Sequence, residues 1–215
     1  MKKNTAFTTR LITFTAMMTA LVMVSGFIPP LEIPPIGRIY WCDGVIFLGC
    51  FLFAPLSSFI IGGVGTFLYD LLLANTVMMF PSLAIHGLQA FLVSFLLHKI
   101  FPKKHEPLFA FSACLVGAAI VIAGYFLVRI LVQNKGIDYA LIRMPSDVIQ
   151  EAAGIAAAMF VCYGLRLKSA LLKSGLLPEI AVKKNSGETE ELPEENNENS
   201  TEEEITENKD DGKEI

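Results

Sequence analysis

Long runs of apolar residues alternate with short polar or basic segments over the first 165 residues of the chain. Crossing about 30 Å of hydrocarbon takes roughly 20 helical residues, and several runs approach or exceed that length. They lie between Arg10 and Glu32 and over residues 44–69, 71–97, 107–128 and 145–165. The 44–69 run, 26 residues without a charge, fits either one tilted helix or two short helices broken at Ala54–Ser58.

Clusters of basic residues decide between these two options. Lys and Arg collect in the cytoplasmic loops of membrane proteins, and the clusters here are Lys2–Arg10, Lys99–Lys104 and Arg166–Lys173. Placing all of them inside requires an even number of crossings between successive clusters. Splitting the 44–69 run at Pro55, which disfavours a continuous helix, meets this requirement. We therefore predict an all-α integral membrane protein with six transmembrane helices and both termini in the cytoplasm. The predicted helices cover residues 9–28, 42–54, 57–74, 82–98, 109–132 and 145–166.

The first segment also fits an N-terminal signal peptide. Basic residues precede its apolar stretch, and Val24-Ser25-Gly26 offers small residues for cleavage. Removing it would leave five spans and upset the placement of the basic loops. We therefore favour a retained first helix in a multi-pass protein of the cell membrane.

Composition and charge set the C-terminal segment apart. Hydrophobic residues make up 53% of the chain and the mean hydropathy is +0.53, unlike a soluble enzyme or a nucleic-acid binder. Residues 1–177 carry 13 Lys/Arg against 7 Asp/Glu, whereas residues 178–215 carry 4 against 14. We predict a membrane domain over 1–177 and a disordered acidic cytoplasmic tail over 178–215. The four cysteines stand apart, without a C-x-x-C pair or clustered histidines, so we expect no metal site and no cofactor.

With this orientation, the polar and ionisable side chains of the helices fall on the extracellular side. Such groups are costly inside a membrane and are candidates for function. The cytoplasmic halves carry few of them, which favours a cup, open to the outside, that captures a small polar molecule. Trp41 and Tyr40, on the first external loop, are available to stack on it. The candidate substrate-binding residues are Trp41, Asp43, His86, Gln89, Tyr125, Arg129, Asp147, Gln150 and Glu151.

Each of these positions also has a structural interpretation. That all of them lie on the extracellular side is a stronger argument for a binding site than any single residue. The structural roles are an internal ion pair of Arg129 with Asp147 or Glu151, a helix cap at Asp43, a buried hydrogen-bonded imidazole at His86, an interfacial aromatic at Trp41 and a structural polar group at Asp70.

The chain shows no phosphate-binding loop and no intramembrane proton relay, so accumulating a ligand would require a partner that supplies energy. Ala16 and Ala20 lie four residues apart on one face of the first helix, a spacing that allows close helix approach. They form a candidate partner interface. Gly62, Gly63 and Gly65 are interpreted as a close-packing patch in the third helix.

Short motifs recur through the membrane domain. They are Cys42–Leu48, Phe53–Leu56, Gly62–Gly65 followed by Asp70, Ile85–Leu88 and Ser146–Gln150. Together they resemble the substrate-binding S components of energy-coupling factor (ECF) vitamin transporters, over about Thr8–Leu167. They are similar to the branch that includes riboflavin-, hydroxymethylpyrimidine- and pyridoxine-type S components.

This resemblance implies a substrate-binding and translocating subunit of an ATP-driven importer for a B-vitamin or a related small heterocycle. It implies no enzyme activity in this chain. The implied partners are a transmembrane coupling protein, in contact with Ala16 and Ala20, and two ATPase subunits. Two further hypotheses remain open: an intramembrane enzyme built from His86 and the carboxylates, and a structural membrane subunit without a ligand.

Overall fold

A computed structural model describes residues 2–34, 37–100 and 107–165. The helices are α1 (Lys2–Gly26), α2 (Cys42–Leu52), α3 (Pro55–Leu72), α4 (Thr76–Ile100), α5 (Pro107–Leu131) and α6 (Gly136–Met159), the last continued by wide π-helical turns over Phe160–Gly164. Strands β1 (Leu31–Ile33) and β2 (Gly37–Ile39) lie between α1 and α2. Outside the described residues lie the tail 178–215 and the basic residues Lys103, Lys104, Arg166, Lys168 and Lys173.

The chain breaks between α2 and α3 at Pro55. Proline disfavours a helical conformation in the residue before it, and Phe53 and Ala54 are both extended. Pro55 then begins α3, where its missing N–H costs nothing. The carbonyl of Phe53 accepts hydrogen bonds from the hydroxyls of Ser94, at 2.7 Å, and Ser58, at 3.1 Å. Serine side chains thus satisfy a carbonyl that the break releases from helical bonding.

Two other prolines lie inside helices. Helix α4 begins at Thr76 and α6 at Gly136, ahead of the predicted starts near residues 82 and 145. The prediction placed the helix boundaries at Pro81 and Pro145. A proline removes a single backbone hydrogen bond, however, and in a membrane bundle neighbouring helices support the helix on both sides of it.

The β-hairpin is an element that the sequence analysis did not predict. Leu31 lies opposite Ile39 and Glu32 opposite Arg38 in an antiparallel pair. The Arg38 Nε donates to Glu32 Oε1 at 2.7 Å across the hairpin, and the nearby carboxylate raises the pKa of the guanidinium. Pairing over three residues per strand leaves too little periodicity to detect in a sequence. We call the end of the bundle that carries this hairpin the hairpin end.

Glycines bring the central helices into close contact. A Cβ at Gly62 would lie 2.8 Å from the carbonyl oxygen of His86, and one at Gly63 would lie 2.8 Å from that of Leu83. Helix α3 therefore packs on the backbone of α4. Gly65 approaches α1 in the same way, at Val22. These contacts agree with the interpretation of the three glycines as a close-packing patch.

The core surrounds α2, whose side chains are buried by the other helices. Fully buried apolar residues include Ile46, Phe47, Cys50, Ile61 and Val93. The outer faces instead expose large apolar side chains, such as Phe80, Leu108 and Leu131, as expected of lipid-facing surfaces.

In the part of the chain that the structure describes, four helices are long and apolar enough to cross a membrane. They are Thr9–Gly26, Pro55–Leu72, Thr76–Ile100 and Pro107–Leu131. Helix α2 is shorter, with 11 residues, and spans only about 16 Å at 1.5 Å per residue. Helix α6 is long but carries several charged side chains.

Candidate functional site

A cavity of about 750 Å³ opens at the hairpin end. Its walls come from the hairpin, from the adjoining ends of α3, α4 and α5, and from the first half of α6. The predicted site residues that line it are His86, Tyr125, Arg129, Asp147 and Gln150. Of the other predicted residues, Asp43, Gln89 and Glu151 are fully buried and lie outside this lining.

His86 links the cavity to the buried residues behind it. Its Nε2 lies 3.0 Å from the Tyr125 hydroxyl, which is itself 3.2 Å from the Ser82 hydroxyl in the cavity wall. Its Nδ1 lies 2.9 Å from Gln89 Oε1. Gln89 in turn donates through Nε2 to Glu151 Oε2 at 3.1 Å. A continuous hydrogen-bonded path thus runs from the cavity wall to a buried carboxyl group.

A second path reaches His86 from the hairpin. The backbone N–H of Tyr40 donates to Gln150 Oε1 at 2.8 Å, and Gln150 Nε2 donates to Asp43 Oδ2. The other carboxylate oxygen, Asp43 Oδ1, lies 3.5 Å from His86 Nδ1. Asp43 lies in the first turn of α2, but its side chain bonds to Gln150 rather than capping the helix.

Two buried carboxylate oxygens of this network, Asp43 Oδ1 and Glu151 Oε1, have no hydrogen-bond partner among the described residues. Buried ionisable groups are costly unless they are paired. Each of the two carboxyl groups therefore keeps one oxygen that the described residues do not satisfy.

Arg129 and Asp147 form a bidentate ion pair between α5 and α6, with N–O distances of 2.5 and 2.8 Å. Both side chains are largely buried. The guanidinium carbon also lies 5.9 Å from the centre of the Tyr125 ring. The sequence analysis left Asp147 and Glu151 as alternative partners of Arg129, and the structure pairs Arg129 with Asp147.

Asp70, interpreted from the sequence as a structural or interfacial group, lies in the cavity lining. Ser82 donates to Asp70 Oδ2 at 2.5 Å, and Asn75 donates to Oδ1 at 3.0 Å. The sequence did indicate this part of the lining. Ser82 precedes His86 by four residues and therefore lies on the same face of α4.

Arg143 and Tyr139 also line the cavity, and neither was among the candidate binding residues. Arg143 Nε donates to the Tyr139 hydroxyl at 3.2 Å. These residues extend the face of α6 that carries Asp147 back towards the start of the helix. The predicted helix began at Pro145, which excluded them from that face.

Trp41 lies outside the cavity lining, so the structure does not support its predicted stacking on a ligand. Its side chain is 46% exposed, and the indole N–H donates to the carbonyl of Pro29 at 3.2 Å. Its neighbour Tyr40 does line the cavity. The chain enters α2 at this point, and successive residues point in different directions.

Ala16 and Ala20 are exposed on α1, whereas Thr15 and Thr19 of the same helix are buried. The small-residue face therefore lies on the outside of the bundle. Across the described residues, no group of three or more His, Cys, Asp or Glu side chains is arranged to hold a metal ion.

A polar cavity set into one end of an apolar helical bundle is the arrangement of a membrane-embedded binding protein for a small molecule. Residues 6–167 match the model of the ECF-type riboflavin transporter S component family, and the chain belongs to that family. A search of curated proteins found no matching sequence. Membership makes the chain an integral, multi-pass membrane protein and a transporter subunit rather than an enzyme.

Proposed function

We propose that this chain captures a B-vitamin or a related small heterocycle from the extracellular side and translocates it as the S component of an ATP-driven ECF importer. The observation that carries the proposal is the cavity at the hairpin end, whose volume lies in the range of roughly 300–1,000 Å³ typical of small-molecule sites. Tyr40, Tyr69, Tyr125 and Tyr139 give it aromatic surface for a planar ligand. The family name favours riboflavin first, with hydroxymethylpyrimidine and pyridoxine as further candidates.

Identification of a co-purified ligand tests this proposal. The protein is purified in detergent without added vitamin, denatured, and the released molecules are identified by mass spectrometry. We expect a stoichiometric heterocycle. Ser82→Leu, which fills the cavity beside Asp70, should lose it, whereas Ser112→Leu, on the exposed face of α5, should retain it. Turnover of a lipid or peptide, or ligand retained by the Ser82 variant, would contradict the proposal.

The proposed topology has six crossings, both termini in the cytoplasm and the hairpin outside. Helix α2 is too short to cross alone, but the other helices bury most of its side chains. A reporter active only outside the cell, inserted in the α5–α6 turn at Asn134, should be active. The same reporter fused after Lys173 should be inactive, and activity at both sites would contradict the topology.

The proposed partners are a transmembrane coupling protein and two ATPase subunits, because the described residues offer the cavity no energy source of their own. The exposed Ala16 and Ala20 face of α1 is the proposed docking surface for the coupling protein. Replacing both with Leu should abolish uptake and leave ligand binding intact. The matched control replaces Ala152 and Ala156, also exposed and four residues apart, on α6. Equal effects of the two double variants would count against this docking surface.

A further inference from the structure

The charged residues that line the cavity are unequally paired. Arg38 is held by Glu32 and Arg129 by Asp147, with N–O distances of 2.7 Å and 2.5–2.8 Å. Arg143 forms no ion pair with any residue that the structure describes. Its guanidinium is therefore the cavity's uncompensated cation within residues 2–34, 37–100 and 107–165.

The position of Arg143 is fixed on two sides. Its Nε donates to the Tyr139 hydroxyl, and the guanidinium carbon lies 5.4 Å from the centre of the Tyr139 ring. The hairpin covers the other side at Gly37, where a Cβ would lie 2.1 Å from Arg143 Nη1. Gly37 has a φ of +141°, so both its backbone conformation and the available space exclude a side chain.

This arrangement leaves the terminal Nη1 and Nη2 groups of Arg143 without a hydrogen-bonded carboxylate. Two adjacent guanidinium N–H groups match the spacing of two oxygens in a carboxylate or phosphate group. A half-buried cation held without a counter-ion favours an anionic ligand group over a neutral carbonyl, because only the anion neutralises its charge.

Another residue of the lining, Asp70, has the opposite charge. Asp70 accepts hydrogen bonds from Ser82 and Asn75, which are neutral, and takes part in no ion pair among the described residues. Like charges repel, so an anionic ligand group is disfavoured there and N–H donors are favoured. Arg143 and Asp70 therefore favour different ligand groups within one cavity.

We propose that Arg143, seated under Gly37, is the oxyanion subsite of the cavity. The ligand is then a phosphate ester or a carboxylate of such a heterocycle rather than the neutral vitamin, and its oxyanion group binds Arg143. This inference rests on the proposed function, since it names a property of the molecule that the S component captures.

The test compares matched pairs of ligands that differ in a phosphate group: riboflavin with riboflavin 5′-phosphate, and pyridoxal with pyridoxal 5′-phosphate. Carboxylate chemistry is covered by a third pair, pyridoxine with 4-pyridoxic acid. Binding to the full-length protein in detergent is measured by calorimetry. In at least one pair, we expect the oxyanion member to bind about tenfold tighter than its neutral partner. In Arg143→Gln this preference should disappear, because the oxyanion member loses about tenfold more affinity than its neutral partner.

Two variants separate direct contact from other effects. Arg143→Lys keeps the charge but loses the paired N–H groups, and should keep part of the preference. Lys135→Gln removes a cation that lies 4.7 Å from the Tyr139 ring centre but outside the cavity lining, and should change the preference by less than about twofold. Melting temperatures confirm that each variant is folded.

The outcomes distinguish the inference from the function on which it rests. If neutral members bind as well as or better than their oxyanion partners, or if Arg143→Gln keeps the preference, the oxyanion subsite is wrong and the vitamin-binding function stands. If no member of any pair binds, the proposed ligand class fails and the inference fails with it.

Discussion

The hairpin-end half and the opposite half of the same bundle differ in how they use buried polar groups. At the hairpin end, Asp43 and Glu151 are buried, and each has one carboxylate oxygen without a hydrogen-bond partner among the described residues. In the opposite half, the polar side chains of Ser58 and Ser94 bond to backbone carbonyls near the α2–α3 break. The serines near the break therefore satisfy backbone groups of the fold, whereas the two carboxylates keep hydrogen-bonding capacity that the described residues leave unused. Such unused capacity is what a ligand can bind.

The largest effect is expected from opening a cavity in the core of the opposite half of the bundle. Phe53 is 2% exposed, so Phe53→Ala should lower the free energy of unfolding by about 3–5 kcal/mol through lost burial and the cavity left behind. Thermal melting in detergent measures this loss. The fraction that remains folded should bind ligand with unchanged affinity.

The matched control is Phe160→Ala. Phe160 is 65% exposed on the outer face, and its truncation should change stability by less than about 1 kcal/mol. A loss of ligand affinity in folded Phe53→Ala, without any effect of Phe160→Ala, would show that the two halves are not separable in function.

A smaller effect is expected from the ion pair in the cavity wall. Arg129→Gln leaves Asp147 largely buried without its partner and should cost about 2–3 kcal/mol, less than a completely buried pair because the cavity gives partial access to water. Adding Asp147→Asn should recover part of this loss, since no unpaired charge then remains. Melting of both single variants and the double variant gives the coupling, and strictly additive losses would argue against a direct interaction.

The smallest effect is expected at Glu151, whose Oε1 has no partner among the described residues. Glu151→Gln preserves the shape and removes a buried ionisable group, so stability should change by less than about 1 kcal/mol or rise slightly. Asp147→Asn is the contrasting case, because Asp147 is paired and its loss should destabilise the protein. A larger loss at Glu151 than at Asp147 would mean that Glu151 holds the fold together.

Much of the helical architecture was predictable from the apolar pattern, since the long runs lie in helices of the structure, with the 44–69 run divided between α2 and α3. The effect of proline depended on its context. Pro55 ends α2 and begins α3 because Ala54 is extended, whereas Pro81 and Pro145 lie within continuous helices. Proline chemistry is the same at all three positions. Whether a helix continues through the proline therefore depends on the packing of the neighbouring helices.

The general position of the candidate site was predictable from the sequence, but the set of residues that line it was not. Tyr125, Arg129 and Asp147 followed from helical spacing and line the cavity. Asp70 and Arg143 were left out of the predicted binding residues, and their contacts with Ser82 and Gly37 follow from the folded chain. Trp41 was selected for its chemistry, but the chain direction at the start of α2 keeps it out of the lining.

The sequence by itself determined a helical, membrane-embedded chain whose ionisable residues gather towards one end, because apolar length and charge position are read along the chain. The tertiary structure alone decided which of those residues pair with one another and which remain available. Arg129 is neutralised by Asp147 and Arg143 is not, although both are arginines near the same end of the bundle. That difference arises from contacts between the helices and the hairpin. Residues that are distant in sequence form such ion pairs only through the packing of the folded chain.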